Sequence, residues 1–94
     1  MSKDAIIEAI EKRNIIEIVY SGETRRAEPH LLGVSKSGVL TLSAWQLTGK
    51  SGIGWRAYVV EKIGSIRITD EKFSSTRPGY NPDDSTMSQI VFRY

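Results

Sequence analysis

The chain has no cysteine, and that absence removes several chemistries together. There is no disulfide framework to staple a small fold, no thiolate nucleophile and no Cys-based zinc site. Cysteine-free composition also suits a reducing compartment. Long apolar runs are missing too, since nothing approaches the roughly 18 consecutive apolar residues of a membrane span. The first stretch reaches an acid at Asp4 and further charges at Glu8, Glu11, Lys12 and Arg13, so no uncharged signal-peptide core fits there. A cytoplasmic protein without membrane association is the expectation.

Histidine occurs once, as His30. A lone histidine without cysteine has few metal partners and forms no catalytic triad; such a residue is usually a hydrogen-bonded structural one. Asp83-Asp84 is an adjacent carboxylate pair in turn-forming sequence, suited to capping or to solvent. Nothing resembles a nucleophile elbow or a paired general acid and base. The expectation is a protein that is not an enzyme and needs no cofactor.

Ninety-four residues make one domain near the lower end of what folds alone, so a thin stability margin helped by self-association is expected. The net charge of +2 is unevenly spread. Residues 25–69 hold Arg25, Arg26, Lys36, Lys50, Arg56, Lys62 and Arg67 against Glu28 and Glu61, whereas both ends of the chain are slightly acidic. A basic middle third fits an anionic ligand or nucleic-acid phosphates, or a solvated face whose charges bunch.

The opening predicts a short amphipathic helix with Ser2 as its cap, Ile6, Ile7 and Ile10 on one face, and a stop at Arg13-Asn14. From Ile15 the period changes to two, predicting a strand to Tyr20. Ser21-Gly22 turns the chain into an extended Arg25–Val34 stretch, where Pro29 demands an edge, a bulge or a break. Val39–Leu47 is the strongest strand, with Leu40, Leu42 and Ala44 on one face; Trp55–Val60 and Ile66–Thr69 follow. Three glycines within 48–54 predict a mobile loop. There is no internal repeat.

Residues 44–51, Ala-Trp-Gln-Leu-Thr-Gly-Lys-Ser, match a relaxed phosphate-loop pattern. That motif works only where a helix follows and aims its N-terminus at the phosphate. Here Gly52-Ile53-Gly54 and a strand follow, so nucleotide hydrolysis is rejected. Beyond residue 70, Arg77-Pro78-Gly79-Tyr80-Asn81-Pro82 is turn chemistry in which Asn81-Pro82 suits the start of a helical turn, and Gln89–Tyr94 reads as a last strand.

Taken in order, Ile18-x-Tyr20-x-Gly22, Arg25-x-x-x-Pro29, Gly38-x-Leu40-Thr41-Leu42-x-Ala44 and Arg56-x-Tyr58-x-x-x-Lys62-Ile63 form a series that resembles the WYL domain family over about residues 5–70. The three residues that name the family fall at Leu40-Thr41-Leu42, and Lys62 stands where an arginine is usual. The resemblance implies a mainly β, α+β fold with one N-terminal helix. It implies an SH3-like or Sm-like small barrel of about five strands over residues 1–70, with 71–94 as an extension packed on the same domain. It further implies a ligand-sensing module for a nucleic-acid or nucleotide-like anion, used in phage-defence or DNA-damage regulation, here without a helix-turn-helix. The candidate ligand-binding set is Arg25, Arg26, His30, Trp45, Arg56, Tyr58 and Lys62. Arginine forks suit phosphate and aromatic rings suit bases. Alternatives stay open: Tyr58 as core packing, Arg56 paired with Glu28 or Glu61, and the whole domain as an interaction or homo-oligomerisation subunit, with a dimer expected.

Overall fold

The computed structural model describes residues 3–94, so the expected Ser2 cap lies outside the described residues. Helix α1 (Lys3–Lys12) precedes strands β1 (Asn14–Tyr20), β2 (Glu23–Ser35), β3 (Leu40–Gln46) and β4 (Gly54–Val59). A 3-10 turn (Val60–Lys62) leads into β5 (Ile63–Lys72), and β6 (Met87–Arg93) ends the chain. The product is one antiparallel sheet of six strands, in the order β4-β3-β2-β1-β5, with β6 paired to β2 off that path. Among the described residues no helix is long and apolar enough to cross a membrane.

A ten-residue helix is marginal alone, so α1 depends on what it covers. It buries Ile6, Ala9 and Ile10 against Ile16, Ile18, Ala27, Leu32, Leu42, Ala44 and Tyr58 from the sheet. Each isoleucine so buried contributes roughly 1.5–3 kcal/mol. Ile7 is only partly buried beside them. The left-handed residue that ends the helix is Arg13 (φ 60°), not Asn14, whose side-chain amide instead donates to the Thr69 carbonyl at 2.9 Å and starts β1.

β2 runs thirteen residues where Arg25–Val34 was expected, and it is shared by three partners. Its first half pairs with β1 and its second half with β6, while β3 pairs with it from Ala27 to Val34. The Arg26 carbonyl accepts from Leu47 N–H at 2.7 Å, which fixes the alternation of backbone groups: Arg26 and Glu28 face β3, Ala27 and Pro29 face the other way. There β1 pairs no further than Ala27 and β6 begins at Leu31. The missing N–H of Pro29 therefore points into the seam between two strands, where no ladder bond is lost. Next to it the β3 register slips between Pro29 and Leu31, making His30 the extra residue of a bulge.

Glycine in strands marks two more adjustments. β5 starts at Ile63, ahead of the expected Ile66, and runs through Gly64-Ser65; the register with β1 shifts between Val19 and Tyr20, with Gly64 as the unpaired residue. At Gly33 the β6 backbone passes so close that an added Cβ would lie 2.8 Å from the Gln89 carbonyl oxygen. The tail forms β6 as expected, but no helical turn forms at Asn81-Pro82. Arg77-Pro78-Gly79-Tyr80 closes a β-turn (Tyr80 N–H to the Arg77 carbonyl, 3.1 Å) with Gly79 at φ 87°, the pattern of a type II turn.

Because the Gly33 obstacle is backbone, Gly33→Ala has to displace β6. It is expected to destabilise the fold by roughly 1–3 kcal/mol in urea unfolding. A change within error would show that β6 is not seated on β2 as described.

Candidate functional site

Directly opposed residues of neighbouring strands share a face. On the inward face, Ile16 and Ile18 of β1, Ala27 of β2, Leu42 and Ala44 of β3 and Tyr58 of β4 form the core. The same rows run on to one end of the sheet, where they place Tyr20, Arg25, Gln46 and Arg56. This end is polar, and the segment 47–53 folds against it.

Gln46 is its centre and is fully buried. Its Oε1 accepts from the Tyr58 hydroxyl at 2.6 Å and from Arg25 Nη1 at 3.2 Å. Its Nε2 donates to the Gly52 carbonyl at 2.8 Å and to Ser51 Oγ at 3.0 Å. Arginine only donates, so its contact fixes which end of the amide is oxygen. Burial raises the Tyr58 phenol above its ordinary pKa, while the Arg25 and Arg56 charges pull it down. The Tyr20 ring packs edge-on against Tyr58, 5.0 Å between centroids, and its hydroxyl accepts from Val59 N–H at 3.1 Å.

The two arginines are held differently. Arg25 Nε lies 3.0 Å from Glu23 Oε1 but is not aligned for a hydrogen bond, and its guanidinium sits 5.4 Å from the Tyr20 ring centre. Arg56 makes no ion pair among the described residues. Instead it donates to the carbonyls of Trp55 (2.7 Å), Ser51 (2.6 Å) and Gly52 (3.0 Å) and to Ser51 Oγ (3.1 Å). Two guanidiniums stand against one carboxylate, so this end of the sheet is electropositive.

The other candidate residues lie elsewhere. Arg26 projects from the opposite face, bonded to Glu17 (3.1 Å) and Glu71 (2.8 Å) in a cross-strand ion row that Arg67 completes. Lys62 is exposed on the 3-10 turn, outside the Gln46 network. Trp45 stands between Glu28 and Trp55 on the outward face. His30 is fully buried there, ringed by Trp55, Phe73, Tyr80 and Tyr94 at centroid distances of 4.8–5.7 Å. Arg77 N–H donates to His30 Nε2 at 3.2 Å, which leaves Nδ1 to carry the proton donated to the Glu28 carbonyl at 2.8 Å. Buried and doubly engaged, His30 is a structural clamp and offers no free nitrogen to a ligand. Of the candidate set, only Arg25, Arg56 and Tyr58 come together.

Glu28 does not pair with Arg56. It is buried and takes Arg77 in a bidentate pair, Nε at 2.6 Å and Nη2 at 2.9 Å, tying the tail to β2. The glycine-rich segment is also not free: Glu23 Oε2 accepts from Lys50 N–H at 3.0 Å, and Gln46 and Arg56 hold Ser51 and Gly52. No helix follows Ser51, as the rejection of a phosphate loop requires.

Desolvation is the main cause that lowers the His30 pKa below its ordinary 6.5. The unfolded chain therefore binds the proton more readily than the folded one. Stability from this site is fully present above about pH 6.5 and is lost as pH falls below it. Urea unfolding between pH 8 and pH 5, above the carboxylate range, should show falling stability that His30→Phe flattens. A wild-type protein equally stable at both ends would contradict this.

In comparisons with protein-family models, with curated proteins and with solved structures, nothing matches the chain, and its own residues carry the functional reading.

Proposed function

We propose that this protein is a non-catalytic, cytoplasmic binding module that recognises an anionic, nucleic-acid-like or nucleotide-like ligand at the Arg25–Gln46–Arg56 end of its sheet. One observation carries the reading. Arg25 bonds the buried Gln46 directly, Arg56 of a separate strand shares the Ser51 hydroxyl and the Gly52 carbonyl with the Gln46 amide, and Arg56 satisfies its donors with neutral oxygens instead of a carboxylate. A phosphate oxygen offers such donors a full negative charge, which makes a stronger hydrogen-bonded contact than a carbonyl dipole. Tyr20, only half-buried, places aromatic surface beside Arg25, while Tyr58 is buried behind it.

A path of β5-β1-β2-β3-β4, a bent central strand, a 3-10 turn between β4 and β5 and the Tyr20 hydroxyl reaching across to β4 support an SH3-like barrel. Together with the resemblance to the WYL family they favour a sensing role, of the kind used in phage-defence or DNA-damage regulation.

A second reading, a protein-interaction subunit that forms homo-oligomers, has a different support. A groove of about 400 Å³ runs outside β3 and β4, with Val39, Ala57, Val59 and Met87 on its walls.

The two readings separate by salt, because displacing counterions from phosphates makes binding fall with ionic strength whereas apolar association does not. Binding of a labelled single-stranded oligonucleotide should weaken by about 1–3 kcal/mol in Arg56→Ala. Arg67→Ala, on the opposite face, serves as the control and should bind as wild type. Arg25→Ala is the poorer probe, since it also strips a donor from buried Gln46 and so lowers stability. Wild-type affinity in Arg56→Ala, or salt-independent binding, would overturn the proposal.

A further inference from the structure

Residues 47–53 fold back over the electropositive end of the sheet and spend their acceptors on the groups that would bind an anion. The Ser51 and Gly52 carbonyls take both donors of Arg56 Nη2, and Ser51 Oγ takes its Nε–H. Glu23, the carboxylate beside Arg25, also accepts from the Lys50 backbone N–H. Three glycines with positive φ make this folding possible: Gly49 at 148°, Gly52 at 88° and Gly54 at 147°. At Gly49 any side chain would collide with Gln46, because a Cβ there would lie 2.6 Å from its Nε2. Segment and cation are thus fitted to each other.

We propose that residues 47–53 are an internal competitor for the anion site: a phosphodiester engages Arg56 only by displacing the Ser51 and Gly52 carbonyls, so that binding opens the segment. This rests on the anion-binding reading and adds its regulation. The exchange is electrostatically favourable, because a dipole is replaced by a charge at the same donors. Its cost is the loss of the segment's own bonds to Gln46 and Glu23. Weakening those bonds without changing any charge should therefore tighten ligand binding.

The absence of cysteine permits a direct test. Ile53 is 70% exposed at the C-terminal end of the segment, so Ile53→Cys accepts a single nitroxide there. Oligothymidylate should raise the mobility of that nitroxide and speed hydrogen exchange at the Lys50 amide. Adding Ser51→Ala, which removes an acceptor shared by Gln46 and Arg56, should loosen the segment without ligand and tighten oligothymidylate binding roughly three- to tenfold. Oligothymidylate that binds while the nitroxide stays fixed or slows, or a Ser51→Ala protein that loosens yet binds no tighter, would overturn the competitor while leaving the anion site standing. If oligothymidylate binds neither protein, the anion site itself fails and the competitor with it.

Discussion

Pro29 has no N–H to give to a ladder, and β2 is arranged around that gap. β1 pairs with the strand on one side of it and β6 on the other, so the proline nitrogen meets a seam where no strand waits for it. The bulge at His30 follows at once, and the strand stops alternating: every residue from Ala27 to Leu32 is buried. Inward, Ala27 and Leu32 join the core under α1. Outward, Glu28 and His30 receive Arg77 and the aromatic rings of the tail. One irregular strand is thereby covered on both faces, which extends the burial available to so small a domain.

The polar end of the sheet follows different physics. Gln46, the Tyr58 hydroxyl and part of Arg25 leave water, and each unsatisfied group there would cost about 1–3 kcal/mol. The network leaves Gln46 and Tyr58 none: the amide uses both ends, and the phenol finds the glutamine. Arg56 remains closer to solvent and is tied down by backbone carbonyls, so its charge is oriented but not neutralised. By contrast, the row on the other face sets Arg26 and Arg67 against Glu17 and Glu71, so its charges balance and it needs no further partner.

Much of this was legible from residue order, and the parts that were not have physical reasons. The change of period at Ile15 marked β1, Ser21-Gly22 marked the turn into β2, and Pro29 announced an edge, a bulge or a break. β2 outruns the expected Arg25–Val34 only at its ends, where Glu23, Thr24 and Ser35 are held by their strand partners Tyr20, Val19 and Met87 and not by burial. Asn14 looked like the helix stop, yet Arg13 takes the left-handed conformation and frees the Asn14 amide for Thr69. Among the site residues, Arg56 and Tyr58 share a face through their two-residue spacing on β4, whereas their meeting with Arg25 depends on the order of the strands. Gln46 was missed although it carried a signal: it continues the Leu40, Leu42, Ala44 row, and a polar residue there must be fully bonded. The partnership of Glu28 with Arg77 spans 49 residues and had no local sign.

The claim on which the account turns is that the anion meets the Arg25–Gln46–Arg56 end and not the outward aromatic face. The most direct measurement is a nuclear magnetic resonance titration with a single-stranded oligonucleotide, following arginine Nε–H, the Gln46 side-chain amide and both indole N–H signals. The account predicts large shifts for Arg56 Nε–H and the Gln46 amide, with Arg67 and the Trp45 and Trp55 indoles nearly still. Movement of the two indoles while Arg56 and Gln46 stay in place would contradict it.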